Sequence, residues 1–103
     1  MNIQKILLLE DVAFDLEIGE VFYEKQSKGL GGYFKDSILS DIESLWLYGG
    51  MHQKVFGVYR LLSKRFPYGI YYEFDDDTII VIAVLDLQQN PNNICEFLSY
   101  RAE

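Results

Sequence analysis

From Ile79 to Leu85 every residue is apolar, Ile79-Ile80-Val81-Ile82-Ala83-Val84-Leu85, with Thr78 just before it. Successive side chains of a strand point to opposite faces, so such a run needs cover on both sides. It predicts the central strand of a sheet and excludes a sheet with one wet face at this point. Before it stand Asp75-Asp76-Asp77 and then Ile70-Tyr71-Tyr72-Glu73-Phe74. Two β-forming runs around a short polar connection predict a hairpin.

The cover must come from the rest of one domain, because 103 residues suit a single core. Half the residues are apolar and 16% aromatic, which excludes a disordered chain. Ile3 to Leu9 reads as a first strand. Val12, Leu16, Gly19 and Tyr23 then fall at helical spacing, with Asp15, Glu17 and Glu24 expected to face water. Gly19 within that pattern is either the mark of another backbone passing close by or a tolerated accident. Gly29-Leu30-Gly31-Gly32 breaks the helix, and a second helix steps through Phe34, Ile38, Asp41, Ile42 and Leu45, extended by Trp46-Leu47-Tyr48 and stopped by Gly49-Gly50. The pair predicts an antiparallel helical hairpin. Val55 to Phe66 returns to strand character until Pro67 imposes a bend. Asn90-Pro91-Asn92-Asn93 opens a short last helix, Ile94 to Tyr100. The expected architecture is α+β: a two-helix hairpin on a small antiparallel sheet, in the order β-α-α-β-β-β with a C-terminal helix.

No apolar run reaches the roughly 20 residues of a membrane helix, and no signal peptide is read at the start. Cys95 stands alone, so no internal disulfide points to an oxidising compartment, and the cytoplasm is the expected location. The net charge of −7 counts against a nucleic-acid partner. Residues 1–51 hold four basic and nine acidic side chains, residues 52–72 four basic and no acidic, and residues 73–103 one basic and seven acidic. Only the middle stretch is positive. No metal, nucleotide or flavin signature is present, and Asp75-Asp76-Asp77 reads as a solvated turn.

Several segments resemble one family. Ala13-Phe14-Asp15-Leu16 with Phe22-Tyr23-Glu24 looks like the first helix of the RelE/ParE toxin superfamily, and Arg65-Phe66-Pro67-Tyr68-Gly69-Ile70-Tyr71-Tyr72 is similar to its R-F-P-Y-x-I-Y-Y strand-turn-strand. The resemblance covers nearly the whole chain and lies nearer the ParE branch, the plasmid-stabilisation type. It implies a type II toxin neutralised by a cognate antitoxin protein, acting on DNA gyrase or on the ribosome and its mRNA. The alternatives it leaves are a relative that only binds a protein partner and a ribosome-dependent mRNA endoribonuclease. A homodimer is left open; a membrane partner is not expected. In many members the central strand runs into H-x-x-R-x-P. Here Asp86-Leu87-Gln88-Gln89-Asn90-Pro91 puts Asp86 and Gln89 in place of the His and the Arg.

RNA cleavage needs a proton acceptor, a proton donor and positive charge for the phosphorane. His52, the single histidine, is expected in a solvated loop. Arg60 and Lys64 are expected on one strand face and Arg65 on the other, where they contact a target phosphate or pair with carboxylates such as Glu73. Tyr68 joins them as a stacking candidate or a core residue, and Gln88 and Gln89 mark the altered functional edge. The candidate target contacts are therefore Arg60, Lys64, Arg65, Tyr68, Gln88 and Gln89; no catalytic residue is assigned.

Overall fold

The computed structural model describes residues 2–101. The chain runs β1 (Lys5–Leu8), α1 (Glu10–Gln26), α2 (Leu30–Glu43), α3 (Leu45–Tyr48), β2 (Lys54–Val55), β3 (Val58–Leu62), β4 (Tyr68–Asp75), β5 (Thr78–Asp86) and α4 (Pro91–Arg101). The five strands form one sheet in the order β1-β5-β4-β3-β2. The hairpin predicted around the aspartates is present, with Asp75 opposite Thr78 and Asp76 at φ 55° in the two-residue turn.

The apolar run is covered on both faces, as its pattern requires. On one side Ile79, Val81 and Val84 pack with Val12, Leu16, Phe34 and Ile38 of the α1–α2 hairpin. On the other, Ile82, Ala83 and Leu85 pack with Ile94 and Leu98 of α4. Two expectations about the sheet are corrected. It is mixed rather than antiparallel, since β1 pairs parallel to β5; local pattern marks a strand but not its neighbour. The middle position belongs to β4, and β5 lies one strand in from the edge, flanked outside only by the four-residue β1.

Val55 to Phe66 is not one strand. Phe56 (φ 55°) and Gly57 (φ 84°) form a two-residue turn between β2 and β3. Positive φ at both central positions is the geometry that suits a tight hairpin, and Phe56 hid it because phenylalanine is ordinarily a strand residue. The second helix breaks at Ser44, which leaves Trp46, Leu47 and Tyr48 exposed on α3 rather than on an apolar extension of the packed face. The backbone approach expected at Gly19 is found at Gly31, where a Cβ would strike the carbonyl oxygen of Glu20 across the hairpin. At Gly19 the space is taken by the Phe34 ring. Glu24 secures the same hairpin, its carboxylate accepting from the backbone N–H groups of Gly29 and Gly31 at the start of α2.

His52 is not a freely solvated loop residue. Its Nδ1 meets the hydroxyl of Tyr72, a fully buried side chain that also accepts the Gly50 N–H at 2.9 Å. In the neutral imidazole whose Nδ1 carries no proton, the Tyr72 O–H donates to Nδ1 while its oxygen accepts from Gly50. Burial lowers the His52 pKa. The folded value lies below the unfolded value of about 6.5, so the contribution to stability is complete above the unfolded value and is lost as pH falls through the folded one. Urea unfolding should therefore show the stability gap between the parent and His52→Ala narrowing from about pH 7.5 to about pH 5. A gap independent of pH would refute this role for His52.

Candidate protein-binding groove at the open edge of β5

β1 stops at Leu8, and its last link to β5 is the Leu9 N–H donating to Val81 O at 3.0 Å. Beyond it the outer edge of β5 has no strand beside it among the described residues. β5 carries one residue more than β4 here, since Tyr71 faces Ala83 and Tyr72 faces Val81. The bulge turns new backbone groups outward. Asp15, reaching in from α1, accepts the Val84 N–H at 2.9 Å, and Arg101 at the end of α4 approaches Ile82 O at 3.4 Å. The two side chains close on each other through a bidentate pair, Nη1 to Oδ2 at 2.6 Å and Nη2 to Oδ1 at 3.0 Å. Asp15 is 7% exposed. The expectation that it faces water is thus corrected: a polar residue one position from Leu16 points inward because the bulged edge supplies it with partners.

Outside this pair lies a groove of about 230 Å³, with Asp15 and Ile18 on the α1 side, Phe97 and Arg101 on the α4 side, and Tyr68, Asp86 and Gln89 among its lining. Burial is the main cause that pushes the Tyr68 pKa up to about 12, with Tyr23, Asp86 and Asp15 adding to it. The hydroxyl is a neutral hydrogen-bonding group at physiological pH, not an acid. Asp86 stays half-buried and caps the following turn by accepting the Gln88 N–H at 2.8 Å. Phe22 lines the adjoining surface with Ile18. Phe14, Ile18, Val21 and Phe22 are between 49% and 66% exposed, so α1 carries a second apolar face turned away from the core.

The structure divides the six residues singled out from the sequence. It brings Tyr68 and Gln89 together in the groove. Gln88 is exposed on the turn. Arg60 lies elsewhere, opposite Tyr71 on the α4 side of the sheet, with its Nε buried and without a hydrogen-bond partner among the described residues. Burial raises the Tyr71 pKa, and the neighbouring Arg60 guanidinium opposes that rise. The anticipated alternation that placed Lys64 with Arg60 fails, because β3 ends at Leu62. Lys64 and Arg65 instead project from the β3–β4 loop. That loop is held by Ser63, whose Oγ donates to buried Asp41 at 2.8 Å, and by Phe66. Phe66 and Tyr68 lock the R-F-P-Y segment onto the helices, with ring centroids 4.8 Å apart for Tyr23 with Phe66 and 4.8 Å for Phe34 with Tyr68. Sequence reasoning missed Asp15, Arg101, Ile18 and Phe22; the one signal available was that Phe14, Ile18 and Phe22 repeat at i, i+4 and i+8 beside the recognised core face.

No protein-family model and no curated protein matches the chain. Among solved structures it is similar to a chain titled "Chromosomal ParDE TA system from P. aeruginosa", with a TM-score of 0.76 over 85% of this chain and 100% of that one, at 14% sequence identity. The fold is that of this ParDE chain.

Removing one member of a buried ion pair strands the other. Asp15→Ala should lower stability by about 3–5 kcal/mol, and the Asp15→Ala, Arg101→Ala double variant should lose less than the sum of the single variants. Chemical denaturation of the four proteins tests this; strict additivity would disprove the coupling. In an alkaline titration followed at 295 nm, one tyrosine should ionise only near pH 12 and vanish in Tyr68→Phe. Since that pKa is raised, the stability linked to Tyr68 is complete below about pH 10 and is lost as pH rises through the folded value.

Proposed function

We propose that this chain is the toxin-type component of a type II toxin–antitoxin pair, ParE-like, which acts in the cytoplasm by binding proteins rather than by cutting RNA. The observation that carries the reading is the unpartnered apolar face of α1 beside the β5-edge groove. A helix apolar on two sides within a domain of this size fits a surface that is covered in a complex. The fold of a ParDE system chain supports a partner of the antitoxin kind. For the target, DNA gyrase suits a protein-binding surface better than mRNA does.

A nuclease reading is less well supported. Arg60, Lys64 and Arg65 lie apart from the groove that holds Tyr68, Asp86 and Gln89, and Asp86 would repel a phosphate there. The same acidic edge favours, as second reading, a relative that binds its partner without being toxic.

Tightly induced expression of the chain alone should arrest colony growth, and co-expression of the adjacent reading frame should relieve the arrest. Arg60→Ala, Lys64→Ala should arrest growth as the parent does. Normal growth with folded, full-length protein would overturn the toxin reading and leave the binding-only one. Loss of arrest in the double variant with an unchanged circular-dichroism spectrum would return the activity to the basic side chains.

A further inference from the structure

The charge around the groove narrows the chemistry of what fills it. Besides buried Asp15, α1 carries Glu10, Asp11, Glu17, Glu20 and Glu24 against a single Lys25. Among the described residues the ion pairs are those of Arg101 with Asp15 and, at 3.7 Å, with Asp11. Arg101 is thereby committed, and its guanidinium also lies 5.3 Å from the Phe97 ring centroid. Asp86 has no cation beside it among the described residues. The open site is therefore an apolar ridge, Phe14, Ile18 and Phe22, running for about 12 Å along one helix, with Asp86 at its end and Glu10 and Glu17 on the same helix, none of the three in an ion pair among the described residues.

Resting on the protein-binding reading above, we infer that this groove takes a cationic amphipathic helix of a partner protein, apolar side chains against Ile18, Phe22 and Phe97 and a Lys or Arg set over Asp86. The spacing of the ridge at i, i+4 and i+8 offers the rows into which a second helix packs. Opposite charge across the rim speeds and orients such docking. A second copy of this chain is a poor occupant, because the same acidic helix would face itself in an isologous contact. An acidic segment is disfavoured for the same reason. The hydrophobic contacts supply most of the affinity, and Asp86 sets which charge is accepted.

The test uses the full chain and three synthetic peptides of about 18 residues, long enough to be helical when bound. One carries a leucine stripe at i, i+3, i+4 and i+7 flanked by Lys and Arg. The second has the same stripe flanked by Glu, and the third keeps the basic flanks with Ser in the stripe. Fluorescence anisotropy should show binding of the first alone, weakened several-fold by raising the salt from about 50 to about 300 mM. Ile18→Ala with Phe22→Ala should weaken it at least about tenfold, and Asp86→Asn several-fold. Asp75→Asn, an acidic change at the far hairpin, should leave it unaltered. All these changes are at exposed or half-exposed positions, and circular dichroism verifies that each variant is folded.

Equal binding of the acidic peptide would overturn the inference. So would equal binding of the stripe-less basic peptide, or indifference of the first peptide to the groove variants, since either reduces the effect to general attraction by an acidic protein. Growth arrest without basic-peptide binding would reject this partner chemistry while keeping the toxin reading. Peptide binding at the groove without arrest would reject toxicity while keeping the inference.

Discussion

A carboxylate from the first helix finishes the work of a strand. Parallel pairing of β1 with β5 ends at Val81, yet β5 continues to Asp86, and its outward backbone groups there would be left without partners. Buried backbone donors left unpaired cost about as much as a lost hydrogen bond. Asp15 takes the Val84 N–H, and the charge it brings inside is compensated by Arg101 from the far end of the chain. The α1–α2 hairpin lies on one face of the sheet and α4 on the other, so this bond spans the sheet edge and ties both layers to β5. Without it, β5 would lose its edge cover, and α4 would be held mainly by Ile94 and Leu98.

The same arrangement explains why the molecule has a groove at all. A longer β1 would have filled the edge and brought the two helical layers together around it. A short β1, a bulge in β5 and a two-residue bridge in place of backbone pairing leave a cleft with an apolar helix on one side. Its floor holds Tyr68, fixed from behind by Tyr23 and Phe34. The R-F-P-Y segment thus acts first as a clasp: Phe66 and Tyr68 turn inward, and Lys64 and Arg65 are left outside. What resembles a functional motif in the sequence is, in this fold, largely the packing that shapes the site.

The parts legible in the sequence are those encoded by short periods. The two-sided cover of the apolar run, the aspartate turn and the face formed by Phe34, Ile38 and Leu45 depend on neighbours a few residues away, and each is found as its pattern predicts, although the run is not the central strand. The parts that were not legible depend on distant partners. Asp15 is separated by 69 positions from Val84 and by 86 from Arg101, and nothing in its local helix distinguishes it from a solvated aspartate. The parallel neighbour of β5 and the outward apolar ridge of α1 are hidden for the same reason. The Phe56-Gly57 turn is a different failure, since a residue with strand preference is held at positive φ by the hairpin it closes.

Charge then sets what the resulting surface can be. A phosphate-binding edge needs its cations converged, and the structure separates them. Arg60 is half-buried beside Tyr71, Lys64 and Arg65 stand on a loop, and Arg101 is consumed by Asp15 and Asp11. Arg101 could reach a ligand in the groove only by giving up its bond to Asp15. The carboxylates show the opposite pattern. Asp15 is neutralised within the fold and Asp11 shares the same Arg101, whereas Asp86, Glu10 and Glu17 have no ion-pair partner among the described residues. Evenly scattered acids would serve solubility alone. Acids along an exposed apolar ridge also decide which partners that ridge will admit, because a charge that meets its like on docking must be desolvated without compensation. The fold supplies an apolar place to bind, and the sign of its rim supplies the selectivity.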